Sequence, residues 1–297
     1  QNPDPRFQRP GVSREYDGAM LAMPTMVITY APLMREEIAE ANGFVAQERS
    51  NTNRRQTPFA KCEIRWWGPV KAGDTITGSR RVLEKYDRRG SKFVTFRVEA
   101  ANQHGEKVAE YDYTCIFGYA QGSKSVPQIP GSAEPQPLTG NPGGQELAMS
   151  SSALLSFDAL SEGTQLAQMS ISESQEIINR KSDFRLSGEP NPINIHNNEE
   201  FARQNIFSGT VSSGPAAMSY LDQILQISFP LSAFYQGGQL LMRAIEPFRA
   251  GDTVTFQGEV TAKDAESAGR IVECRIKGIN QRGDLVNLSD AKLMLSV

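Results

Sequence analysis

The feature that most constrains the fold of this chain is an internal repeat at a constant spacing. The segment PVKAGDTIT, which begins at Pro69, recurs as PFRAGDTVT at Pro247, and NQHGEKV at Asn102 recurs as NQRGDLV at Asn280. Both offsets are 178 residues (247 − 69 and 280 − 102), with no gap. The two copies must therefore share strand lengths and hairpins, because a slip of one residue turns every side chain of a strand to the opposite face. The chain contains a duplicated domain.

Composition narrows the possible partners. The 297 residues suffice for two domains, since domains commonly hold about 100 to 150 residues. A net charge of −3 and a pI near 5.6 give no basic surface of the kind that nucleic acid or an anionic membrane requires. No apolar run approaches the roughly 20 residues of a membrane span, and no signal peptide opens the sequence. We therefore expect a soluble, cytoplasmic protein that binds neither nucleic acid nor membrane.

The cysteines favour a reducing environment. Cys62, Cys115 and Cys274 are odd in number, widely spaced and located in strand-like runs. This pattern favours buried thiols over disulfides or a metal site. The sequence has neither clustered metal ligands nor a glycine-rich dinucleotide turn, so we expect no metal and no redox cofactor.

A linker is predicted between the copies. Residues 121–146 (QGSKSVPQIPGSAEPQPLTGNPGGQE) are rich in Pro, Gly and Ser and lack periodic apolar residues. We assign residues 1–120 to an N-terminal domain, 121–148 to the linker and 149–297 to a C-terminal domain. A linker of about 25 residues can cross the face of one domain, so the copies are expected to pack side by side.

Each copy is predicted to consist of one helix followed by four long strands. In the first copy, the segment Met20–Asn42 has apolar residues at helical spacing after Pro24, and in the second copy a helix is predicted at about Gly214–Ile227. The predicted strands are Phe59–Trp67, Asp74–Tyr86, Lys92–Asn102 and Glu106–Tyr119, then Gln239–Ile245, Thr253–Lys263, Arg270–Asn280 and Asp284–Leu295. They exceed the usual length of about five or six residues, which favours a strongly curved sheet. A helix wrapped by a curved antiparallel sheet is the hot-dog fold, so we expect an α+β protein of two tandem hot-dog domains.

The segment before the second helix resembles a known catalytic motif. It reads FRLSGEPNPINIHNNEEFARQNIFSGTVSSGPAAMSYL, from Phe184 to Leu221. It resembles the motif of MaoC-like (R)-specific enoyl-CoA hydratases and dehydratases, S-G-D-x-N-P-hydrophobic-H, followed by an acidic stretch, F/Y-A-R and a glycine-containing helix start. The AGDT turns, the N-Q-x-G hairpins and the duplication are similar to the family's double hot-dog members. The resemblance implies addition or removal of water at an α,β-unsaturated acyl thioester of CoA or acyl carrier protein.

The resemblance also implies catalytic residues. In the family, an Asp and a His activate one water, and a backbone N–H at the helix start binds the thioester oxygen. Here Ser187 and Gly188 match, and Glu189 replaces the Asp. A gapless alignment puts Asn194 at the position of the His, whereas anchoring on HxxEEFAR puts His196 there after a two-residue insertion. We prefer the second alignment, because Asn cannot act as a base, so His196 is the implied general base and Glu189 its carboxylate partner.

Other residues complete the predicted site. Asn191 is an alternative partner that could orient the water by neutral hydrogen bonds. The backbone N–H of Gly214 is implied to bind the oxyanion, although this glycine could instead be required for packing of the helix on the sheet. Substrate contacts are predicted for Asn194 and Ser213 in the motif, and for Tyr16, Asp17 and Met20 before the first helix.

The first copy lacks the motif, so it is expected to carry no catalyst and to make room for the acyl group.

Two other functions remain open. The pocket could instead serve an isomerase, cyclase or other lyase that acts on a specialised metabolite through His196. A non-catalytic binding or scaffold subunit is the third hypothesis. A homodimer or a pseudo-dimeric monomer is the expected assembly.

Overall fold

The computed structural model describes residues 4–34, 37–38, 41, 57–118, 154–182, 190–191, 193–204, 207–265 and 269–295. The strands within these ranges are β1 (Phe59–Trp66), β2 (Thr77–Arg88), β3 (Ser91–Ala101), β4 (Lys107–Gly118), β5 (Met169–Ser172), β6 (Gln239–Ala244), β7 (Thr253–Asp264), β8 (Arg270–Asn280) and β9 (Leu285–Leu295). The helices are α1 (Val27–Tyr30), α2 (Gln175–Ser182), α3 (Glu199–Arg203) and α4 (Gly214–Ser228). The nine strands form one antiparallel sheet in the order β2-β3-β4-β1-β6-β9-β8-β7-β5. All eight predicted strands are present, and the α+β class is confirmed.

The AGDT turns have the same structure in both copies. A carboxylate oxygen of Asp74 accepts a hydrogen bond from the backbone N–H of Lys71 at 2.7 Å, and Asp252 accepts one from Arg249 at 2.9 Å. The glycine before each aspartate has a positive φ, 98° in the first copy and 86° in the second, where other residues would be strained. The repeated letters therefore encode a repeated turn, and each turn leads towards the second strand of its copy.

The two copies join edge to edge through β1 and β6. Lys61 pairs with Arg243 and Glu63 with Leu241 in an antiparallel register. Leu241 is also the counterpart of Glu63 at the repeat offset, since 241 − 63 is 178. A pseudo-twofold axis therefore passes through this pair, and a single chain forms the continuous sheet that two copies of one domain would form as a dimer.

The helix of the second copy is the central core element. Along α4, Met218, Leu221, Ile224 and Leu225 are fully buried. The helix ends where Phe229 turns to an extended conformation (φ −130°, ψ 154°). The next residue is proline, which disfavours helical geometry in the residue before it. The predicted helix is thus confirmed to within one residue.

The prediction for the helix of the first copy is wrong in its length. Instead of one long helix after Pro24 in the segment Met20–Asn42, a short 3₁₀ turn at Pro24–Met26 continues into the four-residue α1. The helical path stops at Ala31 (φ −127°, ψ 70°), because Pro32 follows and proline both lacks an N–H and restricts the residue before it. Helical residues reappear at 37–38.

The short first-copy helix packs against α4 through a buried polar contact. Asp222, in the middle of α4, is fully buried and accepts hydrogen bonds from the backbone N–H of Thr25 at 3.0 Å and from its hydroxyl at 2.7 Å. Gln226 donates a further bond to the same carboxylate. Burial raises the pKa of Asp222 from 3.8 to about 6, against the opposing effect of these hydrogen bonds.

The remaining fold predictions have mixed outcomes. All three cysteines are buried, as predicted, and they form no disulfide within the part of the chain that the structure describes. Within the described ranges, no helix has both the length and the apolar character needed to cross a membrane. The predicted linker lies outside the described residues, so the domain limits at 120 and 149 stay a prediction.

Candidate active site at the start of the second helix

A cavity of about 650 Å³ lies between the two copies at the N-terminal end of α4. Its volume is in the range of small-molecule sites, about 300 to 1,000 Å³. The second copy contributes His196, Ser212 and Gly214, and the first copy contributes aromatic side chains from its strands, among them Tyr86 and Tyr113. A ligand in this cavity would therefore contact both copies, although the hydratase-like motif belongs to only one.

The loop before α3 holds His196 in a tight turn. The side-chain oxygen of Asn194 accepts hydrogen bonds from the backbone N–H groups of His196 at 2.8 Å and Asn197 at 3.2 Å. Such a turn is the ordinary use of asparagine in loops. Asn198 then caps α3 by accepting a bond from Phe201 N–H at 2.8 Å. The asparagines around the histidine thus shape the backbone that carries it.

The imidazole of His196 has a defined tautomer. Its Nδ1 lies 2.7 Å from the carbonyl oxygen of Val211. Because a carbonyl only accepts, Nδ1 must carry the proton, which leaves the lone pair on Nε2. Burial lowers the pKa of His196 below its ordinary 6.5, and the bond to Val211 opposes this shift without cancelling it. At neutral pH, His196 is therefore a cavity-lining residue whose imidazole is neutral and unprotonated at Nε2.

Gln175 in α2 joins the two loops of the site. Its side-chain amide N–H donates to the carbonyl oxygen of His196 at 2.8 Å, and its side-chain oxygen accepts from the hydroxyl of Thr210 at 2.6 Å. Val211, which binds the imidazole, follows Thr210 directly. The side chain of Gln175 therefore holds both the backbone of His196 and the loop segment that orients the imidazole ring.

Gly214 begins α4 and is in close contact with the first copy. A Cβ atom at this position would lie 2.5 Å from the ring of Phe59 in β1, so the glycine is required for packing. The N–H of Gly214 lies ahead of the first N–H that forms a hydrogen bond within the helix, and Pro215 has no N–H. Helix starts leave such N–H groups free for an anionic ligand. The packing alternative is thus supported, and the oxyanion role stays a prediction.

Two motif residues that we predicted to act in the site have structural partners instead. The side-chain N–H of Asn191 donates to the carbonyl oxygen of Ser182 at 2.6 Å, at the end of α2. Asn194 supports the turn of His196, and neither asparagine lines the cavity. Ser213, predicted to contact substrate, does line it. Glu189 lies outside the described residues, so its pairing with His196 stays a prediction.

The three candidates near the N-terminus are elsewhere. The ring of Tyr16 packs edge-on against that of Tyr235, with the ring centroids 6.0 Å apart. Asp17 is exposed, and its carboxylate oxygen lies 3.5 Å from Nζ of Lys71. The carbonyl oxygen of Met20 accepts a hydrogen bond from Ala72 N–H at 2.8 Å. None of the three lines the cavity of His196, because the segment before α1 folds against the AGDT turn of its own copy and against Tyr235, which follows the core helix.

Sequence reasoning missed several groups in the cavity wall. Glu246 is the only carboxylate among the described residues that line it. The lining residues Ser212 and Asn287 have a buried hydroxyl and a buried amide, respectively, without hydrogen-bond partners among the described residues. A signal for Asn287 exists in the sequence, because it is polar at a position of β9 whose alternate neighbours face the core.

Basic side chains also reach the cavity. Lys61 of β1, with Arg88 and Arg89 at the tip of the β2–β3 hairpin, belongs to the lining. No carboxylate in the described ranges forms an ion pair with any of these three, whereas the lining residue Arg243 pairs with Asp290 at 2.7 Å. The described part of the cavity therefore has positive charge available for an anionic ligand.

Comparison with known proteins identifies the fold. A family model described as "FAS1-like, dehydratase domain region" matches residues 1–111. No curated protein sequence matches the chain significantly. Among solved structures, a MaoC-like dehydratase is 16% identical with a TM-score of 0.66, over 96% of this chain and 88% of its own. A MaoC-like dehydratase from Phytophthora capsici is 15% identical with a TM-score of 0.61, over 99% and 87%.

A third structure describes the architecture by name. A conserved hypothetical protein from Mycobacterium tuberculosis, described as having a double hotdog fold, is 12% identical with a TM-score of 0.55, over 97% of this chain and 88% of its own. At these identities the likeness shows the fold alone. The double hot-dog fold is confirmed, and the match is consistent with the resemblance carried by the hydratase-like motif.

Proposed function

We propose that this chain, which has the double hot-dog fold of MaoC-like dehydratases, adds water to or removes water from an α,β-unsaturated acyl thioester. The observation that carries the proposal is His196, a neutral imidazole whose Nδ1–H is bound to Val211 and which lines a cavity at the start of α4. Hydration of an enoyl thioester requires a base for water and stabilisation of an enolate oxygen. A neutral imidazole and a helix start are the groups suited to these two tasks.

The proposed reaction uses one proton twice. Nε2 of His196 takes a proton from water while the hydroxide adds to the β-carbon, and negative charge develops on the thioester oxygen. The backbone N–H of Gly214 binds that oxygen at the positive end of the α4 dipole. The imidazolium then returns the proton to the α-carbon, so the elements of one water are added. Dehydration follows the same steps in reverse.

A carboxylate would complete the site by holding the water. Glu189 is proposed on the motif alone. Glu246 is the second candidate, because it is the carboxylate among the described lining residues of the cavity. Comparison of Glu189→Gln with Glu246→Gln distinguishes them, since loss of a water-positioning carboxylate lowers kcat, whereas loss of a remote surface charge changes little.

The proposed substrate carrier is CoA or acyl carrier protein, both of which bring a phosphate group. Lys61, Arg88 and Arg89 support this proposal, because they line the cavity and have no carboxylate partner in the described ranges. We also propose that a pseudo-dimeric monomer or a homodimer of such monomers is the active form, since β1 and β6 already form the pairing between copies.

The test is mass-spectrometric detection of water addition to short, long and branched enoyl-CoA thioesters. We expect the wild type to hydrate part of this panel and His196→Ala to lose activity by about a hundred-fold or more, the usual contribution of a general base. Gln175→Ala is the companion variant, because it removes the hydrogen bonds to the His196 carbonyl oxygen and the Thr210 hydroxyl but keeps the imidazole. Absence of hydration and dehydration at every chain length would refute the proposal and leave the isomerase, cyclase and scaffold hypotheses.

A further inference from the structure

Asn287 is a lining residue of the cavity whose side-chain amide is unexplained. The residue is 1% exposed, it belongs to the lining of the cavity of His196, and neither its side-chain nitrogen nor its side-chain oxygen has a hydrogen-bond partner among the described residues. An amide offers two donors and one acceptor oxygen, and burying them unpaired destabilises a protein. An apolar side chain would serve the core better, so stability does not account for this asparagine.

The neighbouring strand is adapted to this amide. Asn287 pairs with Gly278 across β8 and β9, and a Cβ atom at Gly278 would lie 2.7 Å from the side-chain nitrogen of Asn287. Because any other residue at position 278 would collide with the amide, the glycine makes the space that Asn287 fills. The asparagine and the glycine therefore form one built feature of the wall.

The first copy shows what the scaffold requires at the same place. At the repeat offset of 178 residues, Asn287 corresponds to Ala109 and Gly278 to Ala100. These alanines also pair with each other across their strands, and both are fully buried. The same sheet geometry is thus filled by two alanines in the copy that lacks the histidine motif. The pair of asparagine and glycine occurs only in the copy that contains His196.

We infer that Asn287 binds a substrate group that both donates and accepts hydrogen bonds, namely a hydroxyl or a secondary amide apart from the thioester carbonyl. This inference rests on the proposed function. Such a group has two sources: an oxygenated acyl chain or the amides of the pantetheine arm. In either case Asn287 determines specificity, because a ligand that lacks the group leaves a buried amide unpaired. Asn287 takes no part in proton transfer.

The chain offers its own matched variants. The double variant Asn287→Ala with Gly278→Ala installs the alanine pair of the first copy. The control is Ser289→Ala, because Ser289 is fully buried and is the next inward position on β9 but does not line the cavity; like the amide of Asn287, its hydroxyl has no partner within the described ranges. Thermal unfolding should show the double variant at least as stable as the wild type. A large loss of stability in that variant would indicate a structural role for the asparagine and overturn the inference.

Calorimetric binding of saturated thioesters tests the inference without turnover. The probes are hexanoyl-CoA, 6-hydroxyhexanoyl-CoA, hexanoyl-N-acetylcysteamine and the hexanoyl thioester of butanethiol. We expect the double variant to bind the relevant probes about ten-fold more weakly, and Ser289→Ala to bind them as the wild type does. A loss confined to the hydroxylated acyl chain identifies the acyl group as the source. A loss shared by the CoA and N-acetylcysteamine probes, but not by the butanethiol ester, identifies the pantetheine amide.

Two negative outcomes remain distinguishable. If the wild type binds thioesters and the double variant binds every probe as tightly as the wild type does, Asn287 contacts only water. The inference is then refuted while the proposed function stands. If the wild type binds none of the four probes, the inference is refuted, and the panel of short, long and branched enoyl thioesters decides separately whether the proposed function stands.

Discussion

Asp222 should make this protein less stable as the pH rises. Its carboxylate is fully buried in α4 and accepts two hydrogen bonds from Thr25 and one from Gln226. No positively charged partner forms an ion pair with it in the described part of the chain. Burial raises its pKa in the folded protein from 3.8 to about 6, so folding favours the protonated acid.

The sign and size of the effect follow from linkage. Because the folded protein holds this proton more tightly than the unfolded chain, the stabilisation is complete below pH 3.8 and is lost as the pH rises through about 6. At about 1.4 kcal/mol per pH unit, the difference between 3.8 and about 6 amounts to about 3 kcal/mol in total. About 1.4 kcal/mol of this should disappear between pH 5 and pH 7.5.

Urea unfolding of Asp222→Asn measures this term. The amide oxygen of asparagine can still accept from Thr25, and Gln226 can turn its own amide to accept from the new N–H. We therefore expect the free energy of unfolding of the variant to gain about 1.4 kcal/mol relative to the wild type between pH 5 and pH 7.5. Asp158→Asn, at a side chain that is 81% exposed, is the control and should change nothing. A difference that is constant with pH, or that favours the wild type as the pH rises, would refute the reasoning.

Three further predictions concern the cavity. The lowered pKa of His196 implies that the acidic fall of kcat/KM for hydration has its midpoint below 6.5, the ordinary pKa of histidine, so a midpoint above 6.5 would contradict the assigned environment. Gly214→Ala should lower stability by about 1 to 3 kcal/mol through its collision with Phe59. In the Phe59→Ala background, where the ring is absent, Gly214→Ala should lower stability in thermal unfolding by less than it does in the wild type. Equal losses in the two backgrounds would argue against the contact. Charge reversal at Arg88 and Arg89 should raise KM for enoyl-CoA about ten-fold without changing KM for the N-acetylcysteamine thioester, and an equal rise for both would refute phosphate binding.

The strands were predictable because their signals are local and occur twice. The carboxylate of Asp74 and that of Asp252 close the same turn, so the repeated sequence fixed two hairpin systems at once. The first helix was not predictable from apolar spacing. Pro32 stops it after α1 although the periodic pattern continues, so backbone chemistry overrides periodicity there.

The candidate site was predictable only in part. The motif identified His196, yet the bond from its ring to Val211 joins residues 15 apart, and no sequence pattern specifies that partner. Asn191 and Asn194 resembled catalytic groups because asparagine serves equally well in turns and in active sites. Asn287 escaped notice for the opposite reason, since a polar residue in a strand usually indicates the solvent side.

The axial pair of Glu63 and Leu241 shows what duplication within one chain permits. On the axis of a true homodimer a residue must face its own twin, so a glutamate there would oppose a glutamate, and like charges directly opposite are destabilising. Here the axial glutamate faces a leucine. Covalent linkage of the copies releases both sides from that constraint, so one copy can carry the loop of His196 while the other shapes the opposite wall of the cavity. Each change needs to be tolerated once and not twice.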